Sequence, residues 1–155
     1  MSFRIRGLEP ALFASLVRMD DDALRDLGVH RFTADEPGSA PCRISLRDAA
    51  PGESLLLLSF EHQPAASPFR ASGPIFVREA ADRRFECVDR IPDAPAARTI
   101  SARAYDGQAM MVEGELVPGA DLAALLDDWF RRPEVDVVHL HYARRGCYAA
   151  LAERA

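Results

Sequence analysis

Several kinds of segment are missing from this chain, and each absence narrows what the chain can be. No apolar run approaches the roughly 18 residues needed to cross a bilayer, and the weakly apolar N-terminal stretch has no small-residue cleavage pattern. Low-complexity segments and runs of single-sign charge are also absent. The 155 residues are therefore expected to form one soluble globular domain without a membrane span or signal peptide.

Lysine is absent, so all 19 basic residues are arginine. With 24 acidic residues the formal net charge is -5, and no basic stripe of the kind that contacts duplex phosphates is present. Nucleic acid is therefore not expected as a partner. The codon usage of a GC-rich bacterial genome would explain the missing lysine, and the planar arginine fork also suits carboxylate and phosphate groups.

Cysteine is scarce, and common catalytic motifs are missing. Cys42, Cys87 and Cys147 are odd in number and widely spaced, which favours reduced thiols in the cytoplasm over a disulfide framework. The chain has no GxSxG elbow, phosphate-binding glycine loop, dinucleotide fingerprint or HExxH sequence. No motif therefore specifies a reaction.

The apolar patterns predict an α+β fold, a single domain over residues 1–155 with a mostly antiparallel or mixed sheet and about three short helices. Helices are expected from Pro10, from the acidic triplet at 20–22 with Gly28 as its stop, and from Asp121. The stretch SLLLLSFEH is expected to be a central strand buried on both faces. The other predicted strands are FRIRGL, HRFTAD, PCRISL, PIFVREA, FECVD, TISARAYD, AMMVEGELV, VDVVHLHYA and CYAALAE.

Two histidines, one residue apart, interrupt the apolar stretch VVHLHYARRGC. Strand alternation over residues 135–142 places His139 and His141 on one face, with Cα atoms about 7 Å apart. His62 ends the other strongly apolar strand, where a site would open. Because histidine titrates near neutrality, the predicted catalytic residues are His139, His141 and His62, as acid/base groups or ligand contacts. Hydrogen-bonded core histidines are the alternative.

A metal site is not the favoured interpretation of these histidines. Catalytic zinc normally takes three protein ligands, and no third ligand stands at a fixed spacing from the pair. Folding would have to supply His62, Glu61 or Cys147. No metal ligands are therefore assigned, and the cofactor stays unknown, with a divalent metal as the less favoured alternative.

Basic residues near two predicted turns suggest an anion site. Arg70 and Ser72 are expected on a turn before Gly73, which would let backbone amides approach a ligand. If that turn and the one at Arg144 meet at one sheet end, they offer donors for phosphate or carboxylate. Surface ion pairs with Glu79, Asp106 or Glu61 are the alternative. The expected ligand-binding residues are Arg70, Ser72, Gly73, Arg78, Tyr105, Arg144 and Cys147, although Cys147 is more typical of a structural thiol than of a nucleophile.

Three blocks of sequence carry a resemblance to a known family. FEHQPAASPFRASGPIFVRE, SARAYDGQAMMVEGELV and VDVVHLHYARRGCYAA, in this order, resemble the bacterial family called Domain of Unknown Function 1203. The resemblance covers nearly the whole chain and implies a stand-alone bacterial domain with no assigned activity. It places the family's marked residues on His62, Pro64, Ser67, Pro68, Arg70, Ser72, Gly73, Pro74, Arg78, Tyr105, Asp106, His139, His141, Gly146 and Cys147.

Together these features predict a small cytoplasmic domain that binds a small anionic metabolite or phosphate in a pocket lined by arginine and histidine. Whether the histidines also perform acid/base catalysis is left open. A noncatalytic protein-interaction or structural domain is one alternative. A metal-dependent hydrolase that uses the histidine pair is a second. The patterns specify neither the ligand nor the oligomeric state.

Overall fold

Two antiparallel sheets and several short helices make up the computed structural model, which describes all 155 residues. The strands are β1 (Phe3–Arg6), β2 (His30–Thr33), β3 (Ser54–Gln63), β4 (Ala71–Arg78), β5 (Glu86–Val88), β6 (Thr99–Tyr105), β7 (Met111–Pro118), β8 (Val137–Tyr142) and β9 (Tyr148–Arg154). The α-helices are α1 (Ala14–Val17), α2 (Asp21–Asp26), α3 (Asp93–Ala96) and α4 (Leu122–Trp129). The expected α+β class is confirmed.

The larger sheet has six strands in the order β5-β1-β9-β8-β6-β7, and the smaller has three in the order β2-β3-β4. β8 therefore lies inside the larger sheet with a neighbour on each side, which explains why VVHLHY is so apolar. β3 is the centre of the smaller sheet, as expected. Its first half is largely buried, but Ser59 and Glu61 are exposed, so burial on both faces does not extend along the whole strand.

Each sheet covers its own hydrophobic core. α4 packs Leu122, Leu126 and Trp129 onto the face of the larger sheet that carries Ile100 and Leu140. A second core of 10 buried residues lies against the smaller sheet. The sheets meet where Phe60 of β3 contacts Tyr148 of β9, with ring centroids 6.2 Å apart. The histidine-bearing face of β8 is directed to this junction, opposite the face covered by α4.

Most predicted helix positions are confirmed. Pro10 begins a 3-10 turn, Pro10–Phe13, that leads into α1. The Asp20 side chain accepts a hydrogen bond from the Ala23 amide at 2.8 Å and caps α2. Asp121 stands at the N-cap of α4 without a side-chain capping bond, and α4 ends before Pro133. α3 was not predicted. No helix has both the length and the apolar character needed to span a membrane.

The prediction of a strand at PCRISL is wrong. Cys42 to Leu46 form a tight loop, closed by hydrogen bonds from the Cys42 amide to the Arg47 carbonyl and from the Leu46 amide to the Cys42 carbonyl. Leu46 takes a left-handed backbone conformation with a φ of 52°. Cys42, Ile44 and Leu46 are nonetheless buried. The alternation of apolar residues in PCRISL therefore predicted their burial correctly, but the backbone forms a turn instead of an extended strand.

The predicted turn at Ser72 and Gly73 is also wrong. Both residues lie in β4, where Ser72 pairs with Glu61 and Gly73 with Phe60, and Gly73 has no positive φ. The pattern SGP suggested a turn because proline has no backbone N–H to donate to a neighbouring strand. β4 is, however, an edge strand, and an edge strand tolerates Pro74. The amides of this segment therefore belong to a sheet and do not form an anion-binding turn.

Candidate functional site

Three histidines from two different sheets converge at the junction. The ring of His62 in β3 lies 4.9 Å from that of His141 and 6.1 Å from that of His139, measured between centroids. His139 and His141 are 6.4 Å apart with their rings inclined by only 22°, so both leave β8 on the same side. One ring nitrogen from each histidine lies within 4.8 Å of one from each of the others. The three histidines predicted as catalytic are thus brought together.

Irregular strand pairing positions these rings. In the β3–β4 ladder Glu61 pairs with Ser72 and Gln63 with Ala71, so His62 is the extra residue of a β-bulge. A second shift in register falls between Leu140 and His141 in the β8–β9 ladder. A bulge bends its strand and re-aims the side chain that it carries. The first bulge carries His62 itself, whereas the second lies beside His141, with Ala149 of β9 as the extra residue.

Each histidine retains a buried ring nitrogen without a hydrogen bond from the protein: Nδ1 of His62, Nδ1 of His139 and Nε2 of His141. The other nitrogen of His141, Nδ1, lies 2.9 Å from the Gly146 carbonyl oxygen. A carbonyl only accepts, so Nδ1 of His141 carries the proton and donates it. Its Nε2 is then left with a free lone pair. Buried polar atoms usually have partners, so three unpartnered nitrogens in one cluster are an arrangement that a bound ligand would satisfy.

The site holds its histidines in the neutral form. Burial, followed by the charges of the nearby His62 and Arg103, lowers the pKa of His139 to about 4. Burial likewise lowers the pKa of His141 to about 3, although the Gly146 hydrogen bond opposes the shift. The pKa of His62 is lowered by burial and by Arg103. Near pH 7 the cluster therefore offers uncharged imidazoles, the form that binds metal ions.

Two tyrosines enclose the cluster. Tyr148 stacks on His62 with centroids 5.4 Å apart and an interplanar angle of 6°, and it meets His139 edge-on at 5.6 Å. Tyr105 lies 4.8 Å from His139 on the opposite flank. Burial raises the pKa of both phenols, so both stay protonated at neutral pH. The histidines thus lie between aromatic surfaces that limit the access of water.

A cavity of about 410 Å³ opens beside the cluster. His62, His139, Tyr105 and Tyr148 line it, whereas His141 lies behind them and is 1% exposed. Three carboxylates also belong to its wall: Glu61, Asp106 and Asp136. Glu61 pairs with Arg70, and Asp106 accepts amide hydrogen bonds within its own turn. The cavity has the size of a small-molecule site.

The other predicted ligand-binding residues, apart from Tyr105, do not line this cavity. The exposed Arg70 forms an ion pair with Glu61 at 3.0 Å, at the rim. Arg78 is held by Glu53, whose carboxyl pKa falls to about 2 through hydrogen bonds from Arg78 and Arg47. Arg144 lies exposed on the β8–β9 turn, and Cys147 is a partly buried free thiol beyond it. Ser72 and Gly73 lie in β4.

Arg103 was missed by the sequence analysis. Its Cα is directly opposite that of His139 across the β6–β8 ladder, so both side chains leave the same face of the sheet. Its charge lowers the pKa of all three histidines. Alternation in SARAYD could have revealed it, because Arg103 shares a strand face with Tyr105, which was singled out.

Comparison with known proteins places the site inside a recognised family. A family model described as a protein of unknown function (DUF1203) matches residues 39–154, about three quarters of the chain. The chain belongs to the DUF1203 family. The match includes all three histidines of this DUF1203 chain. No curated protein and no solved structure matches it.

The side chains of the DUF1203 site are better suited to binding a transition-metal ion than to acid/base catalysis. Three neutral imidazoles are ligands for zinc, iron, copper or nickel. A carbonyl that fixes the tautomer of a ligating histidine, as Gly146 does for His141, is a common companion of such sites. Acid/base catalysis at neutral pH instead needs a histidine that titrates near 7. His139 and His141 titrate far below that value.

Proposed function

We propose that this protein is a metal-dependent enzyme in which His62, His139 and His141 bind one first-row divalent metal ion, and that a small substrate occupies the adjoining cavity. The convergence of three imidazoles, each with an unpartnered buried nitrogen, carries the proposal. Acid/base catalysis by free histidines is less well supported, because the lowered pKa values leave the rings neutral and only weakly basic at pH 7.

The spacing of the histidines is compatible with a single ion. Nitrogens bound at about 2.0–2.1 Å to one tetrahedral ion lie roughly 3.4 Å apart. The ring nitrogens now lie within 4.8 Å of one another, so side-chain shifts of about 1 Å would bring them to the ion. Because Gly146 already orients His141, most of the movement would fall to His62, which is the most exposed of the three.

Hydrolysis is the reaction class that this arrangement favours. Three protein ligands leave at least one position on zinc for water, and bound water on zinc has a pKa of about 7. His62 and His139 border the cavity, so that position would face a substrate there. Tyr105 and Tyr148 would exclude bulk water, and Asp136, whose side chain has no hydrogen bond or ion pair, is available at the wall to accept a proton.

Metal content tests the binding step. We expect purified full-length protein, stripped with chelator and reloaded with Zn²⁺ or Co²⁺, to retain about one ion per chain. His62→Ala should lower the affinity at least about tenfold, because the ligand count drops to two. His30→Ala is the matched control, since His30 is exposed on β2 and lies outside the cluster. Wild-type protein without stoichiometric metal would contradict the proposal.

Activity tests the catalytic step. Metal-loaded protein is assayed against a panel of small carboxylic esters, amides and phosphoesters, with chelator treatment and metal return as paired conditions. We expect hydrolysis of at least one class that chelator abolishes, metal restores and His139→Gln removes. If metal binds with the expected dependence on the histidines but no member of a broad panel is hydrolysed, the hydrolytic step is wrong and the site is a binding centre only.

The setting of the reaction follows from composition. We further infer that the protein works in a reducing compartment such as a bacterial cytoplasm, because its three cysteines are all unpaired. The net charge of -5 supports a small-molecule partner over nucleic acid. Protein with all three thiols reactive when isolated under argon would agree with this inference, and intermolecular disulfides in freshly isolated protein would oppose it.

A further inference from the structure

Arg103 is a cation without a carboxylate partner beside the histidine cluster. Its one side-chain hydrogen bond runs from Nε to the Ser101 hydroxyl at 3.3 Å, and it forms no ion pair. The two terminal nitrogens therefore keep their donors free. Several other arginines also lack ion pairs, but Arg103 is the one directly opposite His139 in the ladder. Side chains of such cross-strand pairs lie about 5 Å apart at their Cβ atoms.

The strand on the other side of Arg103 leaves it open. Gly114 of β7 is its partner in the β6–β7 ladder, so the residue directly opposite Arg103 on that strand has no side chain. Arg103 itself is half-buried, and β7 is the edge of the larger sheet. Arg103 is not among the residues that line the cavity, but a ligand bound near His139, which does line it, could reach the fork of donors at the edge of the guanidinium.

Charge balance at the site calls for an anion. Three neutral imidazoles and a divalent ion would carry two positive charges, and Arg103 adds a third. Of the three carboxylates on the cavity wall, Glu61 is paired with Arg70, so Asp106 and Asp136 would leave one of these positive charges unbalanced. An oxyanion that bridges the ion and the guanidinium would offset this excess, and arginine binds carboxylate and phosphate through two parallel hydrogen bonds.

We propose that the substrate of this site is a small oxyanion, a carboxylate or a phosphate ester, with one oxygen directed to the metal position and the anionic group bound by Arg103. This inference rests on the proposed metal centre. It replaces Arg70 and Arg144, the arginines suggested by the sequence, with a residue on the same strand face as Tyr105. In this proposal Arg103 binds the substrate, and the three histidines remain the only metal ligands.

Cobalt provides a direct readout. Full-length protein loaded with Co²⁺ is titrated with inorganic phosphate and, separately, with acetate, and the visible absorption of the ion is followed. We expect at least one anion to change the spectrum saturably, and the anion with the lower Kd identifies the class. Arg103→Met should raise that Kd at least about tenfold while the Co²⁺ stoichiometry stays at the wild-type value. Arg103→Lys should recover part of the affinity, because the charge returns without the fork.

Arg144→Met is the matched control, because Arg144 is an exposed arginine on the neighbouring turn and, unlike Arg103, has no place opposite His139 in the β6–β8 ladder. Its anion Kd should equal that of wild type. Equal anion affinity in the Arg103→Met and wild-type proteins, or a cobalt spectrum unchanged by both anions, would overturn this inference. Neither result would contradict the proposed metal centre. Failure to load Co²⁺ at all would overturn the metal centre and this inference with it.

Discussion

Under the proposed function, a proton and a metal ion would compete for each of the three histidines. Burial disfavours the proton, because a charged imidazole loses its hydration at the junction of the sheets. A metal ion brings its own charge but needs the neutral ring. The same burial that would weaken these histidines as catalytic acids therefore keeps them available as ligands at mildly acidic pH.

The protonation of His139 makes stability depend on pH in the metal-free protein. Its pKa is about 4 when folded and about 6.5 when unfolded, so the unfolded chain binds more protons between these values. The free energy of unfolding should therefore fall as the pH drops from 6.5 towards 4, by about 1–2 kcal/mol per such histidine at pH 5. Urea unfolding with chelator present, at pH 7, 6 and 5, measures this loss.

His139→Gln should reduce the slope of stability against pH, since glutamine does not titrate. His30→Gln should keep the wild-type slope, because His30 is exposed and outside the cluster. Identical slopes for wild-type and His139→Gln proteins would show that this histidine does not titrate with a lowered pKa.

The turn between β8 and β9 couples backbone conformation to the histidine site. Gly146 has a φ of 77°, a region that costs other residues about 1–2 kcal/mol, and its carbonyl accepts a hydrogen bond from Nδ1 of His141 at 2.9 Å. We expect Gly146→Ala to lower the free energy of unfolding by about 1–2 kcal/mol and to weaken Zn²⁺ binding about tenfold, because the orientation of His141 is disturbed.

Gly38→Ala separates these two effects. Gly38 has a φ of 74° and open space at its Cβ, as Gly146 has, but it makes no bond to a histidine. Denaturation should show a similar loss of stability in both variants, whereas Zn²⁺ titration should show weaker binding in Gly146→Ala alone. Equal Zn²⁺ affinity in the two variants would remove the Gly146 carbonyl from the site.

The edge strand β7 carries its own protection against pairing with another chain. Leu116 on this strand is 65% exposed, which would favour association with another chain. Glu113 and Glu115 accept hydrogen bonds from the Gly114 and Leu116 amides, at 3.1 and 3.2 Å. Charged side chains on an edge oppose sheet extension. We expect Glu113→Thr/Glu115→Thr to associate into dimers or larger species, as measured by light scattering over a concentration series. A variant as dispersed as wild type would show that the glutamates are not the barrier.

Sequence patterns identify the strands of the site better than they identify the site. Alternation predicted β8 with both histidines on one face, and the apolar run predicted β3 as a central strand. The bulge at His62 could not be predicted, because it arises from how β3 and β4 pair along their full length. The predictions at SGP and PCRISL failed because tertiary structure decided the local backbone. Pairing with β3 placed Gly73 in a strand, and a left-handed conformation at Leu46 turned the backbone of a buried segment.

The division of the strands between two sheets is a further feature that local patterns do not contain. His62 belongs to the smaller sheet and His139 and His141 to the larger, so the cluster forms only when the two sheets dock. Aromatic contacts of Tyr148 with Phe60 and His62 join the sheets at this point. An ion bound by all three histidines would therefore bind the folded chain and not the separated elements.

Metal binding should consequently stabilise both sheets at once. An ion at about 100 times its Kd adds roughly 2.7 kcal/mol to the free energy of unfolding if it binds only the folded chain. We expect Zn²⁺ to raise the thermal midpoint and to slow amide hydrogen exchange in both β3 and β8. In His62→Ala the added protection should disappear from β3, and in His30→Ala it should match wild type. Protection confined to β8 in the wild-type protein would mean that the ion does not bridge the sheets, and the three-histidine centre would have to be abandoned.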